Sequence, residues 1–161
     1  MGDYIMSIFQ GCNFIVPSSY TLQAGGAETG TVVGVQTIDD GTVYNVVEAN
    51  GSLGFDIEYD FTNIRKVYGA VVRYSYNSSG LAAHGLTIEL HNYSGGGSDP
   101  SFRAETSVIN LFNYMTILIP DTGNYEDGSG NAQLTILHTG NGSPNHNLDV
   151  DYVALIGLKS A

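Results

Sequence analysis

The chain has 161 residues, with 16 acidic against 5 basic side chains and a formal charge of −11. A single domain of this length buries about 70% of the surface its unfolded chain exposes. The lone Cys12 can form no intrachain disulfide, so a disulfide scaffold is excluded. Five cations are too few to displace counterions along a phosphate backbone, which excludes nucleic acid and anionic membranes as partners.

Residues 1–30 come first and stand apart. Asp3 takes the place of a signal peptide's basic residues, and residues 10–13 break the apolar run, so no secretion leader is expected. No run approaches the ~20 apolar residues of a membrane helix. Ile5, Ile8, Phe9, Phe14, Ile15, Val16 and Tyr20 follow no clean alternation before the chain loosens into "AGGAETG". This reads as an N-terminal arm for docking or oligomerisation, with Ile5, Ile8, Phe9, Phe14 and Ile15 as its contact residues. The arm packs either on its own domain or on a neighbouring chain.

From residue 31 onward the pattern is that of strands. "FDIEYDF" (55–61) is the clearest, with Phe55, Ile57, Tyr59 and Phe61 alternating with Asp56, Glu58 and Asp60. Similar stretches occupy 31–38, 42–48, 67–76, 86–93, 102–109, 114–120, 132–139 and 148–158. Turn sequences such as "DDG", "NGSLG", "NSSG", "EDGSGN" and "TGNGSPN" separate them. About nine short strands at this spacing predict an all-β domain over 31–161. The long loops favour a jelly-roll β-sandwich of antiparallel strands over an up-and-down barrel.

Catalytic constellations are hard to find. Cys12 has no histidine near it in sequence, and no "GxSxG" elbow occurs. His84, His91, His138 and His146 form no "HxH" or "HExxH" pair and read as loop or rim histidines. "SGGGSDP" lacks the lysine of a phosphate loop. With 16 acids some carboxylate pair is certain to exist, so glycoside hydrolysis has no specific signal. The chain reads as a non-enzyme.

Two acidic groups match the oxygen chemistry of calcium: Asp39 and Asp40 in "TIDDG", and Asp149 and Asp151 in "NLDVD". Asp121, Glu126 and Asp127 form a third group without EF-hand spacing. Either these acids face water or some of them hold a structural calcium. In the last strand, strict alternation puts Asp149, Asp151, Val153 and Leu155 on one face and Tyr152, Ala154 and Ile156 on the other. That places the acids at the rim. No tryptophan exists to stack on a sugar. Tyr68, Tyr74, Tyr76, Tyr93 and Tyr125 are the aromatic candidates, with Tyr74 and Tyr76 at core spacing and Tyr93 and Tyr125 beside loops.

The order "MTILIP", acidic glycine loop, "AQLTILHT", polar loop, "NLDVDYVALIG" resembles the galactose-binding-like jelly roll of carbohydrate-binding modules. The shared pattern is an Asp-Tyr-aliphatic final strand, here Asp151, Tyr152 and Val153. The resemblance implies Asp151 opposite residues 36–40, helping to bind a structural calcium with Asp39 and Asp40. Separately, "GTVYNVVEANGSLGFDIEYDFTNI" behind an apolar arm resembles jelly-roll accessory proteins of tailed bacteriophages. That resemblance implies a non-enzymatic virion protein for capsid decoration or the tail, docked on the major capsid or another virion protein, and a homo-oligomer. The alternative is a carbohydrate-binding module or receptor binder, taking a surface glycan at Tyr93 and Tyr125.

Overall fold

Strict alternation in residues 55–61 puts four large side chains on one side of one strand, and that side must be covered. Phe55, Ile57, Tyr59 and Phe61 are all fully buried, while Asp56, Glu58 and Asp60 keep partial exposure. At about 1.5–3 kcal/mol for each buried aliphatic or aromatic side chain, such a strand is stable only against a second apolar layer. The computed structural model supplies that layer. It describes residues 11–51, 53–78, 85–94, 99–104, 110–119 and 124–160. Ile5, Ile8, Phe9, His84 and Asp121 lie outside the described residues.

The strands are β1 (Asn13–Ile15), β2 (Ser19–Ala24), β3 (Glu28–Thr29), β4 (Tyr44–Val47), β5 (Phe55–Phe61) and β6 (Ile64–Asn77). They are followed by β7 (Leu86–Leu90), β8 (Ser101–Arg103), β9 (Asn113–Leu118), β10 (Ala132–His138) and β11 (Asn147–Lys159). One sheet runs β3-β4-β11-β6-β9, with β1 beside the far half of β11; the other runs β2-β5-β10-β7-β8. All pairings are antiparallel. The molecule is an all-β jelly-roll sandwich. No helix among the described residues is long and apolar enough to cross a membrane.

Two expectations from the sequence change here, and a third is narrowed. The strand expected over 31–38 is a 3-10 turn at Val32–Val35. Gly34 there lies so close to Val43 that an added Cβ would sit 3.1 Å from its carbonyl carbon, and Val35 is fully buried. The turn plugs the sandwich end instead of extending a sheet.

Residues 13–29 pack on the chain's own sandwich, one of the two placements expected of the arm, and do so as strands of its sheets. In β1, Phe14 pairs with Ile156 and Ile15 with Leu155; in β2, Tyr20 pairs with Tyr59 and Leu22 with Ile57. The chain changes sheets between the two strands, which is why its apolar residues keep no single alternation. Ile15 enters the core, and Phe14 points out.

The other change is in β11. Val150 pairs with Tyr74 and Tyr152 with Arg73, so Asp151 is an extra residue in a β-bulge. Leu148, Val150, Val153 and Leu155 are all fully buried in the core. Strict alternation fails by one residue at Asp151, and Asp149 does not share a face with Val153.

Candidate binding face

Register fixes which side chains share the outer face of the five-stranded sheet. Ser19, Asp60 and Gln133 form one row across β2, β5 and β10. Thr21, Glu58, Thr135, Glu89 and Ser101 form the next, spanning the whole sheet. Asp56, Leu137, Thr87 and Arg103 form a third. Each lies at an alternate position to the buried residues of its strand.

Four of these side chains, Ser19, Asp60, Gln133 and Glu58, are held by neighbouring side chains. Ser19 Oγ donates to Asp60 Oδ2 at 3.1 Å, and Gln133 Nε2 donates to Asp60 Oδ1 at 3.2 Å. Gln23 Nε2 donates to Glu58 Oε2 at 2.6 Å. Burial, followed by the neighbouring charges of Glu58 and Glu89, pushes the Asp56 carboxyl above the usual carboxylate range. The result is a lattice of planar amides and carboxylates in fixed positions on a rigid sheet, which is what oriented polar recognition requires.

Two rings border this lattice. His91 N–H donates to the Gln133 carbonyl at 3.1 Å, which ties the residues after β7 to β10. His91 and Tyr93 meet edge to face, with ring centroids 4.4 Å apart. His91 Nδ1 lies 3.0 Å from Asp99 Oδ2, and the Asn92 N–H donates to Asp99 Oδ1 at 2.8 Å. Burial and then the charges of Asp127, Asp60 and Asp99 raise the Tyr93 hydroxyl above its ordinary value. Tyr93 is half-buried beside the row that contains Asp60.

The other predicted residues fall elsewhere. Tyr125 is 7% exposed and packs in the core, so it offers no face to a sugar. Tyr74 and Tyr76 are core residues, as their spacing indicates. Cys12 is half-buried.

Asp39 and Asp151 do meet, around a cation of the protein's own. Arg73 Nη1 donates to Asp151 Oδ2 at 2.5 Å, while Arg73 Nη2 lies 3.3 Å from Asp39 Oδ1. Asp39 has a left-handed φ of 57°, and its N–H donates to Asp151 Oδ2 at 3.1 Å. Asp40 is turned into its own loop, accepting from the Thr42 N–H and hydroxyl. Asp149 is taken up by the Asn45 and Asn77 amides at 2.6 and 2.7 Å. Among the described residues no three His, Cys, Asp or Glu side chains are grouped to hold a metal. The donor set therefore does not fit calcium: a guanidinium stands where the ion was expected. Asp151 is not a rim residue, being only 2% exposed, whereas Asp149, near the start of β11, keeps partial exposure.

Sequence reasoning also missed a buried cluster at one end of the sandwich. Glu48, 1% exposed, accepts from the Tyr76 hydroxyl at 2.5 Å and from the Ser143 N–H at 2.8 Å. His138 Nδ1 lies 2.9 Å from Glu48 Oε1, and His146 Nδ1 lies 3.4 Å from Oε2. Burial alone would raise the Glu48 pKa, but His138, Tyr76 and the Ser143 N–H outweigh it and bring it down to about 2. His138 and His146 are thus interior residues and not rim histidines. No spacing among residues 48, 76, 138 and 146 could have announced this.

No sequence-family model matches the chain, and no curated protein matches it by sequence. Solved structures do. The CBM22-1 xylan-binding domain from Paenibacillus barcinonensis Xyn10C superposes with a TM-score of 0.53 at 11% identity, covering 91% of this chain and 90% of that one. The family 11 carbohydrate-binding module of the cellulosomal cellulase Lic26A-Cel5E of Clostridium thermocellum gives 0.51 at 12% identity, covering 91% and 95%. The K2 cleaved adhesin domain of Lys-gingipain gives 0.52 at 10% identity, covering 91% and 98%. At such identities the likeness is one of fold. What this chain shares with all three is the β-sandwich fold.

Proposed function

We propose that this chain is a non-catalytic carbohydrate-binding module whose ligand lies across the outer face of the β2-β5-β10-β7-β8 sheet. One observation carries the proposal. The row Ser19–Asp60–Gln133 and the row Thr21–Glu58–Thr135–Glu89–Ser101 form an ordered lattice of hydrogen-bonding groups, with Tyr93 and His91 at its border. A sugar chain needs acceptors and donors for its hydroxyls, and a ring edge or face for its C–H surface. Ser19, Asp60, Gln133 and Glu58 are pre-oriented by hydrogen bonds to their neighbours, which lowers the rotamer entropy these groups lose on binding.

The likeness to carbohydrate-binding modules favours this reading over the virion protein that the N-terminal sequence suggested. Attachment to a virus particle would be a second role. It would rest on residues 1–10 and on Phe14, which is 63% exposed.

Affinity electrophoresis tests the proposal, with xylan as the first probe, then β-glucan and galactan. Migration is expected to slow in at least one gel, and Gln133→Ala and Tyr93→Ala should each restore it. Unchanged migration across neutral plant polysaccharides, or binding untouched by both substitutions, would remove this face from consideration.

A further inference from the structure

The opposite face of the sandwich has a different chemistry. On the outer side of the six-stranded sheet, Phe14, Ile156, Gly69 and Leu118 line up across β1, β11, β6 and β9. Ala154, Val71 and Thr116 form the next row; Tyr152, Arg73 and Tyr114 form the one after. Arg73 is the only charged side chain in these rows, and with Asp151 and Asp39 beside it the local charge is −1. Of the chain's charge of −11, the remaining −10 is carried by other residues.

Apolar side chains stand open along it. Phe14 is 63% exposed, Leu118 and Tyr114 59%, and Phe112 39%. Phe112 joins the strip through Arg73, whose guanidinium carbon lies 4.4 Å from its ring centroid. Taking about 150–250 Å² for a whole large side chain, these four leave roughly 400 Å² of apolar surface in water. A monomer's largest patch is typically about 300–600 Å² and is often functional. A stable dimer takes about 800 Å² from each partner, so this strip supplies about half.

At one end a groove of about 410 Å³ lies between Cys12, Phe14, Val71, Leu118 and Ile156. The groove lining reaches Thr116, and two residues further along β9 the Tyr114 ring lies with that of Phe112 against Arg73. In an isologous contact the same strip of each copy would face the other's.

We infer that this face is where two copies of the chain associate. A second copy is the occupant because the strip offers about half the area that each partner gives to a stable dimer and carries little of the charge that would drive two copies apart. A sugar finds few acceptors there, with the Thr116 and tyrosine hydroxyls almost alone among apolar groups. The inference does not depend on the glycan face, which is on the other sheet.

Sedimentation analysis of the full chain from about 1 to about 100 μM tests it. The expected result is a concentration-dependent dimer. Leu118→Glu and Thr116→Lys, both at exposed positions, should each weaken association at least about tenfold. Their circular dichroism and melting temperature should match those of the parent chain. A chain that stays monomeric at the top of that range overturns the inference. So does a dimer that both substitutions leave intact, because the copies would then meet elsewhere.

Discussion

Arg73 and Asp151 form an ion pair at 2.5 Å with only 12% and 3% of their side chains exposed. They are 78 positions apart in sequence and meet because the β11 bulge turns Asp151 toward the adjacent strand β6. Removing one member of such a pair leaves the other charge buried without its counter-ion, at a cost of about 3–5 kcal/mol. Asp151→Ala should lose an amount toward the lower end, because Asp39 remains. Arg73→Met with Asp151→Leu should recover much of it. Urea unfolding at constant m-value measures both, and a double variant no more stable than Asp151→Ala would argue against the pairing.

The same geometry makes a prediction about metals. With the guanidinium between Asp39 and Asp151, excess EDTA should leave the melting temperature unchanged, and so should added calcium. A site binding an ion at a hundred times its dissociation constant would add about 2.7 kcal/mol, several degrees for a domain of this size. A shift of that kind on chelation would return calcium to this loop.

Glu48 gives the protein a defined acid response. Its pKa is held at about 2 against an ordinary 4.5. A group depressed in the folded state stabilises fully above its unfolded value and loses that contribution as pH falls toward the folded one. Stability should therefore decline from pH 4.5 downward, with about 3 kcal/mol at stake from this group. Glu48→Gln should be less stable at pH 7 and should show a shallower decline over that window. A decline equally steep in the variant would assign the acid response to other carboxylates.

The loops around Glu48 are packed to contact. A Cβ on Gly142 would meet the Ala49 carbonyl oxygen at 2.1 Å and the Gly54 Cα at 2.8 Å, and both are backbone atoms that cannot rotate away. Gly142→Ala should cost at least about 2 kcal/mol by overpacking. Gly85→Ala, where a Cβ meets nothing within 4 Å, serves as the control. Equal melting temperatures for the two variants would contradict the packing described.

How much of this was legible in the residues depends on how far apart the partners lie. β5 could be read directly, because its alternation is a local property and its inward residues are uniformly large. β1 and β2 were obscured by a change of sheet between Ile15 and Ser19, which breaks a periodicity that holds only within one sheet. For the binding face, alternation told that Asp56, Glu58 and Asp60 face outward. It could not tell that Gln133 and Ser19 would share a row with Asp60, since register across strands is not written in any one of them. Proximity of Asp151 to residues near 39 followed from the family resemblance. The cation between them did not, because nothing near residue 73 marks that arginine as a partner.

The β11 bulge has one consequence for how this chain tolerates change in length. Val150 and Val153 both point inward, with Asp151 and Tyr152 between them where regular pleating would allow one residue. Asp151 is thus a spare position in the reading of the strand. Deleting it would leave Tyr152 outside and Val153 inside, so the fold should survive at the expense of the Arg73 pair. Deleting Ala154 would turn Leu155 outward and Ile156 inward, inverting the remainder of the strand. Within thirteen consecutive residues, one length change is a local injury and another scrambles the molecule.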